Sequence, residues 1–383
     1  MVVETVTVLR PLYNAVPLVL VMECWLKGRL DLKPWLGPAL LMWLFWCVSA
    51  VLRLGKFDSE FVFTAVSLLV LAQGFKVNPR HIRLLLGCQV AAAIILGLSR
   101  GGISLDVTNQ FQAESAQSSS ESSIGLASAL IVLLAYIRRM PVLGVIALLI
   151  TLLFGKRIAL IGIVAGVGLD LFATLALGHL RRGFGTIATA ALGVGMATLG
   201  VNAASFYRWL SVLLSEEFSF NISPNALSSG RYNGINAFEQ FMAIHQSLIT
   251  SIIGHGTGFT TSVLSMSLSL KQSQTYKLLH DDWLRIMTDY GLIGLAAIIG
   301  GFCLLAWHRR LGLPMAVYTI VVMASDNVLT YAFYWITFAI CLNYSPNASA
   351  QRKPVHKPGG AIQRPWPTQP IRTAANPGAP RNG

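Results

Sequence analysis

The chain has 383 residues, of which 54% are hydrophobic and only 12% charged, and its formal net charge is +13. A soluble domain carries about 25% charged residues, so this chain has too few charges to coat its own surface. That composition excludes a secreted disulfide scaffold, a disordered protein and a soluble dinucleotide-binding enzyme, and it predicts an all-α polytopic membrane bundle of about 10–12 spans with a long extracytoplasmic loop.

Apolar stretches long enough to act as spans recur from the start. They are read at 6–25, 35–53, 58–75, 82–99, 124–137, 141–155, 158–178, 184–206, 286–307, 311–326 and 328–342. The pattern divides the chain into N-terminal transmembrane helices (1–99), a Ser-rich extracytoplasmic loop (100–123), central transmembrane helices (124–206) and a long extracytoplasmic loop (207–282). C-terminal transmembrane helices (283–342) and a basic Pro-rich tail (343–383) follow. Cys24, Cys47, Cys88, Cys303 and Cys341 all fall in apolar stretches with no CxxC pair, the pattern of thiols used as small hydrophobes.

Basic residues set the expected orientation, because cytoplasmic connections are enriched in Lys and Arg. Lys27/Arg29/Lys33, Lys76/Arg80/Arg83, Arg138/Arg139, Arg181/Arg182 and Arg309/Arg310 occupy every second connection. Arg53 and Lys56 fit that alternation poorly. The tail holds six Lys or Arg, no acid and eight of the sixteen prolines; it is expected to be disordered and cytoplasmic. The chain is expected to bind the lipid bilayer and not nucleic acid, since its positive charge is accounted for by loops and tail.

The groups suited to chemistry lie on the other side. His280 stands before a polar-to-apolar helix start, His280-Asp281-Asp282-Trp283-Leu284-Arg285. An imidazole exchanges a proton near neutral pH and suits a general base; Asp281 or Asp282 could orient it, and a surface histidine at a capped helix start is the plain alternative. Ser229-Gly230-Arg231 and the glycine run Gly254-His255-Gly256-Thr257-Gly258 lie in the long loop. Arg231 offers a planar fork suited to a diphosphate. The glycine run does not follow a strand and open a helix, so it is read as a backbone turn near substrate rather than a dinucleotide loop. Lys156-Arg157 sits on the outer face, where cations are disfavoured; an anionic ligand or snorkelling to headgroups would each explain it. Asp170 lies inside a span and is read as a structural hydrogen-bonding group or a proton relay.

Taken together, these segments resemble the O-antigen polymerase and O-antigen ligase superfamily of bacterial membrane glycosyltransferases. The family's late motif runs His-Asn-x-aromatic-Leu, then an acid, then x-Gly-Leu-Ile-Gly; His280, Trp283, Leu284, Asp289, Gly291 and Gly294 match its spacing. Lys156-Arg157 resembles the family's arginine at an outer helix start, and Asp326-Asn327 a late Asp-Asn motif. Asp281 stands where Asn is common and Asp289 where Glu is common. The resemblance covers roughly 115–342. It implies metal-independent, inverting transfer of glycan from a polyprenyl-diphosphate-linked donor to a glycan acceptor, with no cofactor. The active site would lie on the extracytoplasmic face of the bacterial inner membrane. In that scheme His280 is the catalytic base, and Arg157, Arg231 and Lys156 bind the donor diphosphate. Asp281, Asp282, Arg285, Gly254, Gly256 and Gly258 support them. A polymerase of surface or exocellular polysaccharide is expected ahead of a ligase to lipid A-core. A proton-coupled transporter and a noncatalytic subunit working with other polysaccharide export proteins are the competing classes.

Overall fold

The computed structural model describes residues 77, 79–99, 123–154, 157–218, 222–228, 231–256, 258–267 and 281–344. The readings made for the first three spans, the Ser-rich loop and the tail lie outside these residues. Apart from one isolated bridge, Val77 to Tyr344, the described secondary structure is helical.

Four helices open it: α1 Pro79–Ser99, α2 Ser123–Arg138, α3 Pro141–Leu153 and α4 Arg157–Leu177. A 3-10 turn at Gly178–Leu180 leads to α5 Arg181–Val201. Five helices then form a cap: α6 Ala203–Phe218, α7 Pro224–Leu227, α8 Tyr232–His245, α9 Leu248–Ile253 and α10 Phe259–Ser267. The chain returns through α11 Asp282–His308, α12 Gly312–Met323 and α13 Ala332–Leu342. The stretch read from sequence as a 207–282 loop is thus largely helical where described. Its helices are short and of mixed polarity, and a search for long apolar runs does not register them.

Glycines allow the helices of the bundle to approach closely. A Cβ at Gly162 would lie 2.7 Å from the Tyr318 ring, and one at Gly166 would lie 2.7 Å from the Pro314 carbonyl oxygen. α4 and α12 therefore run antiparallel in contact. Gly185 faces Leu313, so the chain has reversed between Gly166 and Gly185, where Gly178 takes φ +44°. Two stretches of the described residues, Arg157–Val201 and Asp282–His308, are long and apolar enough to cross a membrane; the first is this folded-back pair. Each of its helices has 21 residues, about 31 Å at 1.5 Å per residue.

α11 is not one straight helix. Gly291 sits inside it at φ 64°, ψ −164°. Gly193 of α5 meets Ile299, and Gly200 meets Trp283. Seven residues of α5 rise about 10 Å, whereas the sixteen from Trp283 to Ile299 would rise about 24 Å if straight. The first half, up to Tyr290, therefore turns across the end of the bundle. It is buried on both sides: Trp283, Ile286 and Tyr290 belong to the main core, while Leu284 packs into the cap with Phe238, Met242 and Leu264. The stretch read at 286–307 is thus broken at Gly291, and its straight part begins beyond that residue; the apolar pattern runs on through the break.

The two ends of the bundle differ in charge. Arg138 ends α2, Arg181 starts α5 and Arg309 follows α11. Arg181 donates to the Arg310 carbonyl at 3.3 Å, and Arg138 donates to the Tyr344 carbonyl at 3.3 Å. Buried Asp170 pairs with Arg181 and accepts from the Tyr136 hydroxyl at 3.3 Å, so it is tied into the packing of this arginine end. α13 starts near Asp326, which accepts from Tyr331 at 2.7 Å, and the chain beyond its last turn reaches Tyr344 beside Arg138. The reversal at Asp326-Asn327 is thus present, and the chain leaves α13 at the arginine end.

The close approach of α4 and α12 is directly testable. Gly166→Ala should lower stability by about 1–3 kcal/mol, because backbone lies where the methyl would go. Gly168→Ala, which meets nothing within 4 Å, should be neutral or stabilising by up to about 1 kcal/mol. Thermal unfolding of the purified variants in detergent separates the two, and equal Tm values would contradict the packing described.

Candidate active site at the capped end

The opposite end gathers the polar groups under the cap. Asp281 is the N-cap of α11; its Oδ1 accepts from Leu284 N at 3.0 Å. It is buried, and its Oδ2 has no hydrogen-bond partner among the described residues. Gly200 makes the room: a Cβ there would sit 2.8 Å from Oδ1. Burial pushes the Asp281 carboxyl up to about 7, against the N–H groups of Leu284 and Trp283 and with help from Glu239. Glu239 accepts from Ala204 N at 2.8 Å and caps the start of α6. Its own carboxyl is also raised by burial.

Arg231 enters from the cap. Ser228 Oγ accepts from the N–H groups of Arg231 and Tyr232, at 3.1 Å and 2.7 Å, and so fixes the start of α8. The Arg231 guanidinium donates to the Ser325 carbonyl just beyond α12. The Tyr207 phenol, raised mainly by burial, feels both Asp281 and Arg231. Tyr207, Arg231, Glu239 and Asp281 thus converge around the start of α11. Arg157 is exposed at the first residue of α4. The pairings of Gly162 with Tyr318 and Gly166 with Pro314 put it level with the end of α12, at this same end.

Asp282 and Arg285 point elsewhere. Asp282 Oδ2 accepts from Leu329 N at 2.9 Å, tying α11 to the α12–α13 connection. Arg285 Nε lies 3.9 Å from Asp289 Oδ2, and both side chains are buried. Asp282 thus bridges α11 to that connection through one oxygen, while its Oδ1, like Asp281 Oδ2, has no hydrogen-bond partner among the described residues.

The glycine run closes the break in α11. His255 N donates to Thr288 O at 2.8 Å and Gly256 N to Asp289 O at 2.9 Å. Gly258 N donates to Asp289 Oδ2 at 3.2 Å, and Thr260 donates to Oδ1 through N at 3.0 Å and Oγ1 at 2.7 Å. Gly254, Gly256 and Gly258 all take positive φ, and the backbones of Gly254 and Gly291 touch. The loop binds an internal carboxylate and two helix carbonyls. The Gly256 and Gly258 amides, expected near the donor, are engaged within the protein.

His280, Lys156, Ser229, Gly230 and Thr257 lie outside the described residues. Tyr207 and Glu239 were not legible as site members: each lies on a helix of ordinary composition, and only packing brings it to Asp281. Among the described residues no three His, Cys, Asp or Glu side chains are grouped so as to hold a metal ion. Around the start of α11 the geometry rests on the Arg231 guanidinium, the Tyr207 phenol and the carboxyls of Asp281 and Glu239.

Two substitutions probe this arrangement. Asp281 is stabilising in its protonated form, because its folded value lies above the ordinary carboxylate value. That contribution is full below about pH 4 and lost as pH rises through about 7. Asn keeps the N-cap, so the Tm of Asp281→Asn should gain on that of wild type between about pH 4 and 8; a constant difference would mean that Asp281 does not titrate there. Asp289→Ala removes the acceptor of two amides and of the Thr260 hydroxyl, and should cost about 2–4 kcal/mol in the same measurement. A loss under about 1 kcal/mol would mean that the carboxylate is not holding the loop.

No family model, no curated protein and no solved structure matches the chain.

Proposed function

We propose that the chain is a polytopic bacterial inner-membrane glycosyltransferase that polymerises polyprenyl-diphosphate-linked oligosaccharide into a surface or exocellular polysaccharide. The observation that carries this reading is the meeting of Arg231, Tyr207 and Asp281 at the start of α11, at the end of the bundle opposite the arginine pairs. Under the positive-inside rule the arginine end is cytoplasmic and the Asp281 end faces outward. Exposed aliphatic side chains along α3, α4 and α5, such as Val142, Val164 and Ile187, suit contact with lipid.

The chemistry follows from the residue types. A diphosphate is a good leaving group, and the protein must stabilise the charge that develops on it. Arg231, fixed at its backbone by Ser228, supplies a planar cation, with Arg157 and Lys156 as further candidates. His280 immediately precedes Asp281 and serves as the base that takes the proton of the acceptor hydroxyl. The C–O bond to the diphosphate breaks as the acceptor oxygen bonds to the anomeric carbon from the opposite face, which inverts that centre. Asp281 and Asp282, each with one oxygen bonded to a backbone N–H and the other without a partner among the described residues, are the two candidates to hold the imidazole.

His280→Ala and Arg231→Lys should each abolish polymer while protein level in the membrane stays normal, and single lipid-linked repeat units should accumulate. Long chains left on the carrier would instead identify a ligase, and unchanged polymer would remove the residue from catalysis. A topology reporter at Gln274 should be extracytoplasmic and one at Pro358 cytoplasmic. The reverse pattern would invert the proposed site.

A further inference from the structure

A groove of about 620 Å³ opens at the arginine end, between α1 and the corner where α2 meets α3. Ile82, Leu86 and Val90 line one wall with the i, i+4, i+8 spacing of a single helix face; Pro141, Leu143 and Ile146 line the other. These positions on α1 extend about 12 Å along the helix. The lining is almost entirely apolar, with one exception: Arg83. Arg83 is exposed and has no acidic partner among the described residues.

The groove has a direction. Val77 N donates to Asn343 O at 3.0 Å, so α1 leaves from the arginine end. Tyr344, under the Arg138 guanidinium at 5.6 Å, lines the groove near its mouth. Arg80 and Arg83 lie in the first turns of α1, and Arg138 and Arg139 at the end of α2. Positive charge is therefore concentrated at the mouth and the apolar stripe runs inward from it. Gly87 faces the groove midway, and a Cβ there would meet nothing within 4 Å. The missing side chain leaves the channel open.

From this geometry we infer that the groove binds an anionic phospholipid of the cytoplasmic leaflet, with the phosphate at Arg83 and an acyl chain over Gly87, against the exposed Val142 and Ile146. A polar-headed, two-part ligand matches a cationic mouth above an apolar channel, and basic pockets between membrane helices on the cytoplasmic side recognise anionic headgroups in this way. The site lies at the far end from the proposed transfer chemistry. It rests on the membrane reading, though not on the transferase reading.

The test uses the full chain purified in mild detergent, with bound lipid measured by native mass spectrometry after exposure to mixed phosphatidylglycerol and phosphatidylethanolamine. Wild type should retain phosphatidylglycerol preferentially. Arg83→Gln should lower that preference about fivefold, the weight of one arginine near an anionic surface. Gly87→Leu puts a side chain into the channel at a position where its Cβ meets nothing within 4 Å, and should remove bound lipid of both kinds while leaving Tm unchanged or higher. Equal retention of the two lipids by wild type, or unaltered binding in Gly87→Leu, would overturn the site. If Val142→Cys, at an exposed position of the lining and with the exposed Cys88 replaced by Ala, stays protected from maleimide in delipidated protein, the groove belongs to another segment of this chain, and the proposal fails. Recovery of the protein in the soluble fraction after a carbonate wash would instead sink the membrane reading itself.

Discussion

The Asp289 carboxylate holds together the end of the molecule on which the proposed chemistry depends. It accepts from Gly258, from both donors of Thr260, and faces Arg285 one helical turn away. A buried carboxylate with fewer donors would be costly; here four donor groups surround it. The same contact anchors the glycine loop against the break at Gly291, where the free helix carbonyls of Thr288 and Asp289 accept from His255 and Gly256. Without that anchor the first half of α11 has no reason to turn across the bundle. Asp281 at its tip would then lose its place beside Glu239 and Tyr207.

Charge is distributed so that each end has a distinct chemistry. At one end Arg181 pairs with buried Asp170, and Arg138 and Arg310 lie close by, with no other buried acid there among the described residues. At the other end Asp281, Asp282, Asp289 and Asp326 are all buried, each with at least one hydrogen bond from a backbone or side-chain donor. The apolar body between them is stitched by glycines, whose absent side chains let α4 meet α12 and α5 meet α11.

Much of the bundle was legible because apolar length is a local property. The stretches read at 158–178 and 141–155 correspond closely to α4 and α3, and the arginine pairs marked connections that meet at one end. The Asp326-Asn327 reversal was readable for the same reason, since two polar residues interrupt an apolar run. The break at Gly291 was not readable. Gly-Leu-Ile-Gly looks like ordinary apolar helix, and only the contact with the distant Gly254 shows why φ turns positive there. The glycine run was readable as a backbone turn, but not its partner: glycines at positive φ serve an internal carboxylate as well as any other anion, and only packing brings Asp289 to them. Glu239 and Tyr207 carried no local signal at all.

The transverse half of α11 works as a lintel. One of its faces belongs to the core of the bundle through Trp283, Ile286 and Tyr290, and another to the core of the cap through Leu284. A helix shared by two cores cannot rotate or slide without disturbing both. The cap is therefore mechanically coupled to the bundle through the very segment that begins with Asp281. A large ligand that displaced the cap would shift the Asp281 carboxyl, and hence any group it holds, in the same movement. Occupancy beneath the cap and the alignment of the proposed base would become a single event.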